Sequence, residues 1–315
     1  MVEISLAVIK LTIITVLGYC FYKKGIIEQR VLDFLIFFVV NFTVPFLAFS
    51  YIVGNLQKGL QPPPFVFILL SFLIFGVSFV LGYIFSFKRS HEFKKEFTSV
   101  VSFQNCGYLP LSMAAFLFPE NLREKFIIYT FLYVVGFDII FWSVGTYFIF
   151  KKKGEQLKFK SIFTPPIIAT ISAVIVVYAD VVKFIPQVLL SPVKMMGDTS
   201  FVLSMLILGC WLARIDTASL RKRLPIVLEA SALKLLVIPL IFLFLTIKFD
   251  ISSLAGLFIV MQAAMPSAVS LPIVVNLHKA DSEFVSQGVL LTHIFSIFTI
   301  PLWVGLYLKF SHFYF

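Results

Sequence analysis

Gln104-Asn105-Cys106-Gly107-Tyr108-Leu109-Pro110 and Met265-Pro266-Ser267-Ala268-Val269-Ser270-Leu271-Pro272 decide how this chain folds. Each interrupts an apolar stretch that otherwise reads as one continuous helix. Proline has no backbone N–H to close a helical turn and its ring clashes with the turn before it, so both stretches are expected to break or kink there. In hydrocarbon, freed backbone groups persist only where protein buries them or where they line a cavity. A break repeated at matching places in two halves therefore predicts a transport site, whereas either break alone reads as a packing kink.

Outward from these motifs, the composition requires a membrane. Hydrophobic residues make up 60% of the 315 and charged residues 13%, against about 25% charged in a soluble domain. Mean hydropathy is +1.00. The 39 Phe and 11 Tyr suit a lipid-facing perimeter. Apolar spans near the required length of roughly 20 residues run 4–22, 31–53, 64–87, 96–118, 125–150, 162–182, 191–213, 224–247, 251–277 and 284–309. The expectation is one all-α integral membrane domain of ten transmembrane helices: a first five-helix unit over 1–150, a basic loop at 151–160 and a second unit over 161–315. Met1-Val2-Glu3 lacks the basic flank of a removed signal peptide, so the first span is expected to remain.

The net charge of +10 lies in short blocks between spans, which reads as topology and not as nucleic-acid binding. Odd-numbered connections hold 17 of the 26 Lys and Arg, among them Lys151, Lys152, Lys153, Lys158 and Lys160 in the central loop. Excess Lys and Arg marks cytoplasmic loops, so the central loop is expected inside the cell membrane and both termini outside. Each unit has an odd number of spans, so the second enters from the opposite side. Spans 4 and 9 then run antiparallel in an inverted repeat, with their breaks near midplane.

At a break, the free N–H groups of the outgoing half-helix favour an anion. Asn105 offers an amide, Gly107 close backbone approach, and Ser267 and Ser270 hydroxyls; with Pro110, Pro266 and Pro272 they form the expected substrate site. Gln104 and Gln262, and Asn41 four residues before Pro45, are expected to bond carbonyls that the breaks release. Asp138 and His293 lie deep in apolar runs and read either as proton carriers or as satisfied structural groups. Lys10 snorkels outward, while Lys234 lies further in and pairs with a carboxylate or a substrate anion. Asp198, after Gly197, reads as a helix-start cap or, less simply, a cation site. Pro62-Pro63-Pro64 is a stiff connector.

An enzyme would need clustered chemistry, and none appears. His91, His278, His293 and His312 are scattered, no His-Glu-x-x-His or Gly-x-Ser-x-Gly occurs, and Cys20, Cys106 and Cys210 lack metal or disulfide spacing. No metal or cofactor is expected. A channel or sensor is the rival among membrane proteins; saturable, counterflow-capable flux separates a carrier from both.

Asn105-x-Gly107-x-x-Pro110-Leu111 and Met265-Pro266 with Leu271-Pro272 resemble the crossover segments of the auxin efflux carrier family, which includes the plant PIN-formed carriers and bacterial malate and malonate carriers. Pro165-Pro166-Ile167-Ile168-Ala169 resembles the start of its helix 6, Gly197-Asp198-Thr199 through Leu208-Gly209-Cys210-Trp211-Leu212-Ala213 its helix 7, and Lys234 with Pro239 its helix 8. The resemblance covers nearly all ten spans. It implies the sodium/proton antiporter-like, bile acid symporter-like fold, with crossed, broken helices 4 and 9. Helices 1, 2, 6 and 7 would be the scaffold of an elevator-like alternating access. It further implies small organic anions as substrates, no cofactor, and a homodimer. Proton or sodium coupling to another small solute is the alternative. Thr164 stands where the family often has Asn, and the long loop of the large plant carriers is missing, which fits a prokaryotic member.

Overall fold

The computed structural model describes residues 2–57, 59, 61–141, 163–215, 220–251, 253–272, 275 and 282–311. Among them every extended element is a helix. In chain order these are α1 (Val2–Lys23), α2 (Gln29–Asn55), α3 (Pro64–Phe85), α4 (His91–Ser102), α5 (Tyr108–Leu117), α6 (Glu120–Ile140), α7 (Pro165–Tyr178) and α8 (Gln187–Ala213). Then come α9, in the consecutive pieces Leu220–Ala232, Leu233–Val237 and Ile238–Lys248, α10 (Leu254–Ala263) and α11 (Ser282–Ser311). Among the described residues six stretches are long and apolar enough to cross a membrane: Ser5–Lys23, Gln29–Asn55, Pro64–Phe85, Gln187–Ala213, Arg223–Lys248 and Glu283–Ser311. Tyr108–Leu117, Pro165–Tyr178 and Leu254–Ala263 are shorter apolar helices. Large apolar side chains face outward, Val188 at 77% and Phe298 at 73% exposure among them, as expected of a perimeter solvated by lipid.

Helices lie within the expected apolar stretches with shifted ends, and six of the described ones are long enough to cross a membrane. Span 4 is the pair α4 and α5, beginning at His91. Span 9 begins at Leu254 and its first helix ends at Ala263. The later part of span 5, the basic loop at 151–160 and Lys279 lie outside the described residues. Asp198 caps nothing: α8 runs unbroken from Gln187 to Ala213, with Asp198 well inside it.

Two internal prolines are absorbed by widened turns. Val39–Thr43 and Leu233–Val237 are π turns, each followed two residues on by a proline, Pro45 and Pro239. Pro239 cannot donate to Leu235 O one turn back, and the Trp303 indole N–H from α11 donates to that carbonyl instead, at 2.7 Å. In α2, Asn41 Nδ2 donates to Phe37 O at 2.8 Å, also one turn back.

Helices α1 and α8 pack backbone to backbone through two glycines. A Cβ on Gly209 would stand 1.9 Å from Thr15 O, and one on Gly18 would stand 2.1 Å from Leu206 O. The contact is fastened by Cys210 Sγ on Gly18 O at 3.3 Å. Small residues allow this approach where lipid supplies no hydrophobic drive between helices.

Candidate functional site: two paired helix breaks and a cavity

Both breaks are real, but the Leu-Pro pairs do not make them. Residues 103–107 leave the helix before Pro110, which is the third residue of α5, and residues 264–270 leave it before Leu271-Pro272, where the chain turns helical again. Pro110 thus lies in the first turn of a half-helix, where a backbone N–H has no intrahelical partner, and Pro272 stands where helical backbone resumes. The expectation that these prolines interrupt the helices is corrected accordingly.

The extended segments between half-helices lie antiparallel and bond to each other. Gln104 and Ser267 form a bridge. It is flanked by Asn105 N donating to Pro266 O at 2.8 Å and Ala268 N donating to Phe103 O at 3.0 Å. Pro266, with no N–H of its own, serves through its carbonyl. Each break supplies the partners that the other needs.

Side chains complete the pairing. Pro110 leaves the carbonyl of Cys106 without its helical donor, and Gln262 Nε2 donates to Cys106 O from the opposite break at 3.2 Å. Gln104 Nε2 donates to Gln262 Oε1 at 3.3 Å and to Tyr133 OH at 2.8 Å. The Ser267 hydroxyl donates to Val100 O at 2.7 Å, near the end of α4, and Ser267 N donates to Thr292 Oγ1 at 3.2 Å. Ser267 is fully buried and holds the crossing together; it does not line the cavity beside it.

Asn105 works at both ends of its amide. Its Oδ1 accepts from Leu109 N in the first turn of α5 at 3.5 Å, and its Nδ2 lies 3.3 Å from His293 Nε2. The other imidazole nitrogen, Nδ1, is 2.8 Å from Val289 O. A carbonyl only accepts, so Nδ1 carries the hydrogen and Nε2 is the acceptor for Asn105.

A cavity of about 250 Å³ lies against the first break. It gathers Gln104, Asn105, Gly107, Asp138, Thr164 and Ser270, six of the residues singled out from sequence. Asp138 is half-buried in α6 and accepts from Thr164 Oγ1 at 3.2 Å; Thr164 is the residue before α7. Ser270 is exposed. Gly107 has no close backbone neighbour, since an added Cβ would meet only Val134 at 3.7 Å, so the room beside it belongs to the cavity.

The remaining candidates lie elsewhere. Asn41 bonds within α2. Asp198 accepts from Tyr51 OH at 3.0 Å, joining α8 to α2. Lys234 is buried in the π turn of α9. His293 lines a second cavity of about 220 Å³, apolar and bounded by α1, α5, α8 and α11. Sequence reading missed Tyr133, Thr292 and Trp303, each a single residue bonded to a distant segment. Among the described residues no group of His, Cys, Asp and Glu could hold a metal ion.

A family model described as membrane transport protein matches residues 3–159 and 155–304. An uncharacterized transporter of Methanothermobacter thermautotrophicus is 23% identical over 301 residues, covering 94% of this chain and 96% of that one. An uncharacterized transporter of Methanocaldococcus jannaschii is 23% identical over 297 residues, covering 92% and 94%. Matched along almost its whole length and crossing the membrane several times, the chain belongs to the membrane transport protein family, that of the auxin efflux carriers.

Proposed function

We propose that this protein is a secondary carrier of small organic anions, with its substrate site in the cavity against the paired breaks. The observation that carries the reading is the gathering of Asn105, Gly107, Asp138, Thr164 and Ser270 around one cavity beside two helix interruptions. Irregular backbone at membrane depth is expected where a substrate is handled. Small amides, hydroxyls and the start of α5 suit a carboxylate more than a cation.

In this reading the chain is ten transmembrane helices in two inverted five-helix repeats, spans 4 and 9 being the broken pair. Spans 1, 2, 6 and 7 form the scaffold against which the remainder moves in an elevator-like alternating access. The tight α1–α8 contact supports a rigid scaffold. The termini lie outside the cell membrane and the central basic loop inside, and the carrier assembles as a homodimer.

Purified protein in liposomes should take up labelled mono- or dicarboxylates saturably and show counterflow. Asn105→Ala removes the amide that faces the cavity, starts α5 and meets His293, and should lower uptake several-fold with membrane insertion intact. Uptake unchanged in Asn105→Ala, across the whole panel of acids, would sink the assignment of this site.

A further inference from the structure

The Asn105 amide is held between two backbone groups whose roles cannot be exchanged. Leu109 N only donates, so the amide atom it meets at 3.5 Å is the oxygen, Oδ1. At the far end Val289 O only accepts, so the imidazole nitrogen 2.8 Å from it, Nδ1 of His293, carries the hydrogen. Between these ends Asn105 Nδ2 and His293 Nε2 stand 3.3 Å apart. Nδ2 carries hydrogens and no lone pair to offer, so Nε2 must be bare; a doubly protonated ring would set donor against donor. Donation therefore runs one way, from Leu109 N through Asn105 and His293 to Val289 O, and ties α5 to α11.

Nothing else in the surroundings competes for Nε2. His293 is buried and lines the second cavity, where the hydroxyls of Thr12, Thr15 and Ser296 are spent on the carbonyls of Val8, Leu11 and His293 itself. Asn105, in contrast, lines the first cavity, which His293 does not reach. One hydrogen of Nδ2 goes to His293, and the other has no acceptor among the described residues. We infer that His293 is a positioning residue for the substrate site: a neutral acceptor that keeps the Asn105 amide turned so that its free N–H serves an acceptor in the cavity, such as a carboxylate oxygen. The inference rests on the proposed anion carrier. Without Nε2 the amide is free to turn over and present Oδ1, which a carboxylate cannot bond. A single hydrogen bond of this kind corresponds to roughly threefold to tenfold in affinity.

The two ring nitrogens can be removed separately. The amide nitrogen of asparagine falls near the place of Nδ1, so His293→Asn keeps a donor for Val289 O and loses the acceptor for Asn105. Glutamine reaches as far as Nε2, so His293→Gln can restore that acceptor with its Oε1. Uptake of labelled acetate, malonate, malate and indole-3-acetate is measured in liposomes holding the full-length protein. The chains compared are wild type, His293→Asn, His293→Leu and His293→Gln, each with and without Asn105→Ala and each checked for a cooperative melting transition. For an acid that wild type carries, His293→Asn and His293→Leu should raise KM roughly threefold to tenfold with turnover kept, and His293→Gln should recover most of the loss. In the Asn105→Ala background none of the three should raise KM further. Losses that add to Asn105→Ala, or a glutamine variant no better than the asparagine one, overturn the positioning role. A folded His293→Asn protein with the wild-type KM overturns it too and leaves the carrier standing, whereas a wild type that carries none of the acids overturns the anion reading itself. Should the His293 variants not fold, nitrogen-15 NMR of the histidine rings tests the same arrangement. His293 should be neutral with its hydrogen on Nδ1, and its Nε2 resonance should move in Asn105→Ala; a charged ring, a hydrogen on Nε2 or an unmoved resonance overturns the inference.

Discussion

Gly209→Ala is the sharpest test of the packing on which the proposed scaffold depends. The added methyl group would stand 1.9 Å from Thr15 O and 2.7 Å from Tyr19 N, both rigid backbone atoms of α1. Carbon and oxygen are not found closer than about 3 Å in a packed interior, so α1 and α8 must part by about 1 Å. A gap of that size forfeits a quarter to a half of the dispersion energy along the seam, and overpacking of this kind costs about 1–3 kcal/mol. For a chain of this size that predicts a fall in melting temperature of roughly 2–5 °C. The assay is thermal unfolding of detergent-purified protein, with Gly76→Ala as control because nothing lies within 4 Å of its added Cβ. Gly18→Ala should behave like Gly209→Ala. The double variant should cost less than the sum, since the first substitution has already parted the helices. If Gly209→Ala melts with Gly76→Ala, the seam is not closed as described and the reasoning fails.

Trp303→Phe leaves Leu235 O without a donor and should cost about 1–3 kcal/mol; adding Pro239→Ala, which restores a backbone N–H one turn on, should recover part of the loss in the same melting assay. Ser267→Ala removes the donor to Val100 O and should cost about 1–2 kcal/mol, with faster amide hydrogen exchange confined to residues around the crossing; exchange unchanged there would remove Ser267 from the pairing. If Asp138 relays protons, uptake driven by a proton gradient should lose that dependence in Asp138→Asn. Flux indifferent to the gradient in wild type would instead assign Asp138, with Thr164, a structural role.

The positions of both breaks were legible because proline and glycine cluster inside apolar runs, a local signal that needs no partner. The residues responsible were not legible. Pro110 starts a half-helix and Pro272 stands where helical backbone resumes, and what holds the chain extended before them is pairing across more than 150 residues, through Asn105 N on Pro266 O and Gln262 on Cys106 O. Gly197-Asp198 imitated a helix start for a similar reason. Gly197 is small because an added Cβ would stand 2.6 Å from Leu47 N, so the glycine serves a neighbouring helix, and Asp198 answers Tyr51 in place of a cap. Asn105 and Asp138 could be named from sequence as polar groups in apolar surroundings, and Thr164 from the family resemblance. Their shared cavity could not, since it depends on how α5, α6 and α7 are packed.

The bonds made by α11 have a mechanical consequence. Along this one helix His293 meets Asn105, Thr292 meets Ser267, Trp303 meets Leu235, and Tyr307 OH donates to Ser253 O at 2.7 Å just before α10. Thr292, Trp303 and Tyr307 are spaced by whole turns or nearly so and share a face. The last helix is thus a splint, pinned to both interruptions and to the π turn that carries Lys234. Two half-helices joined only by extended chain would flex at the joint. Pinned in this way, they have no hinge of their own, and any displacement of one break must carry the other, the lysine and the splint along with it.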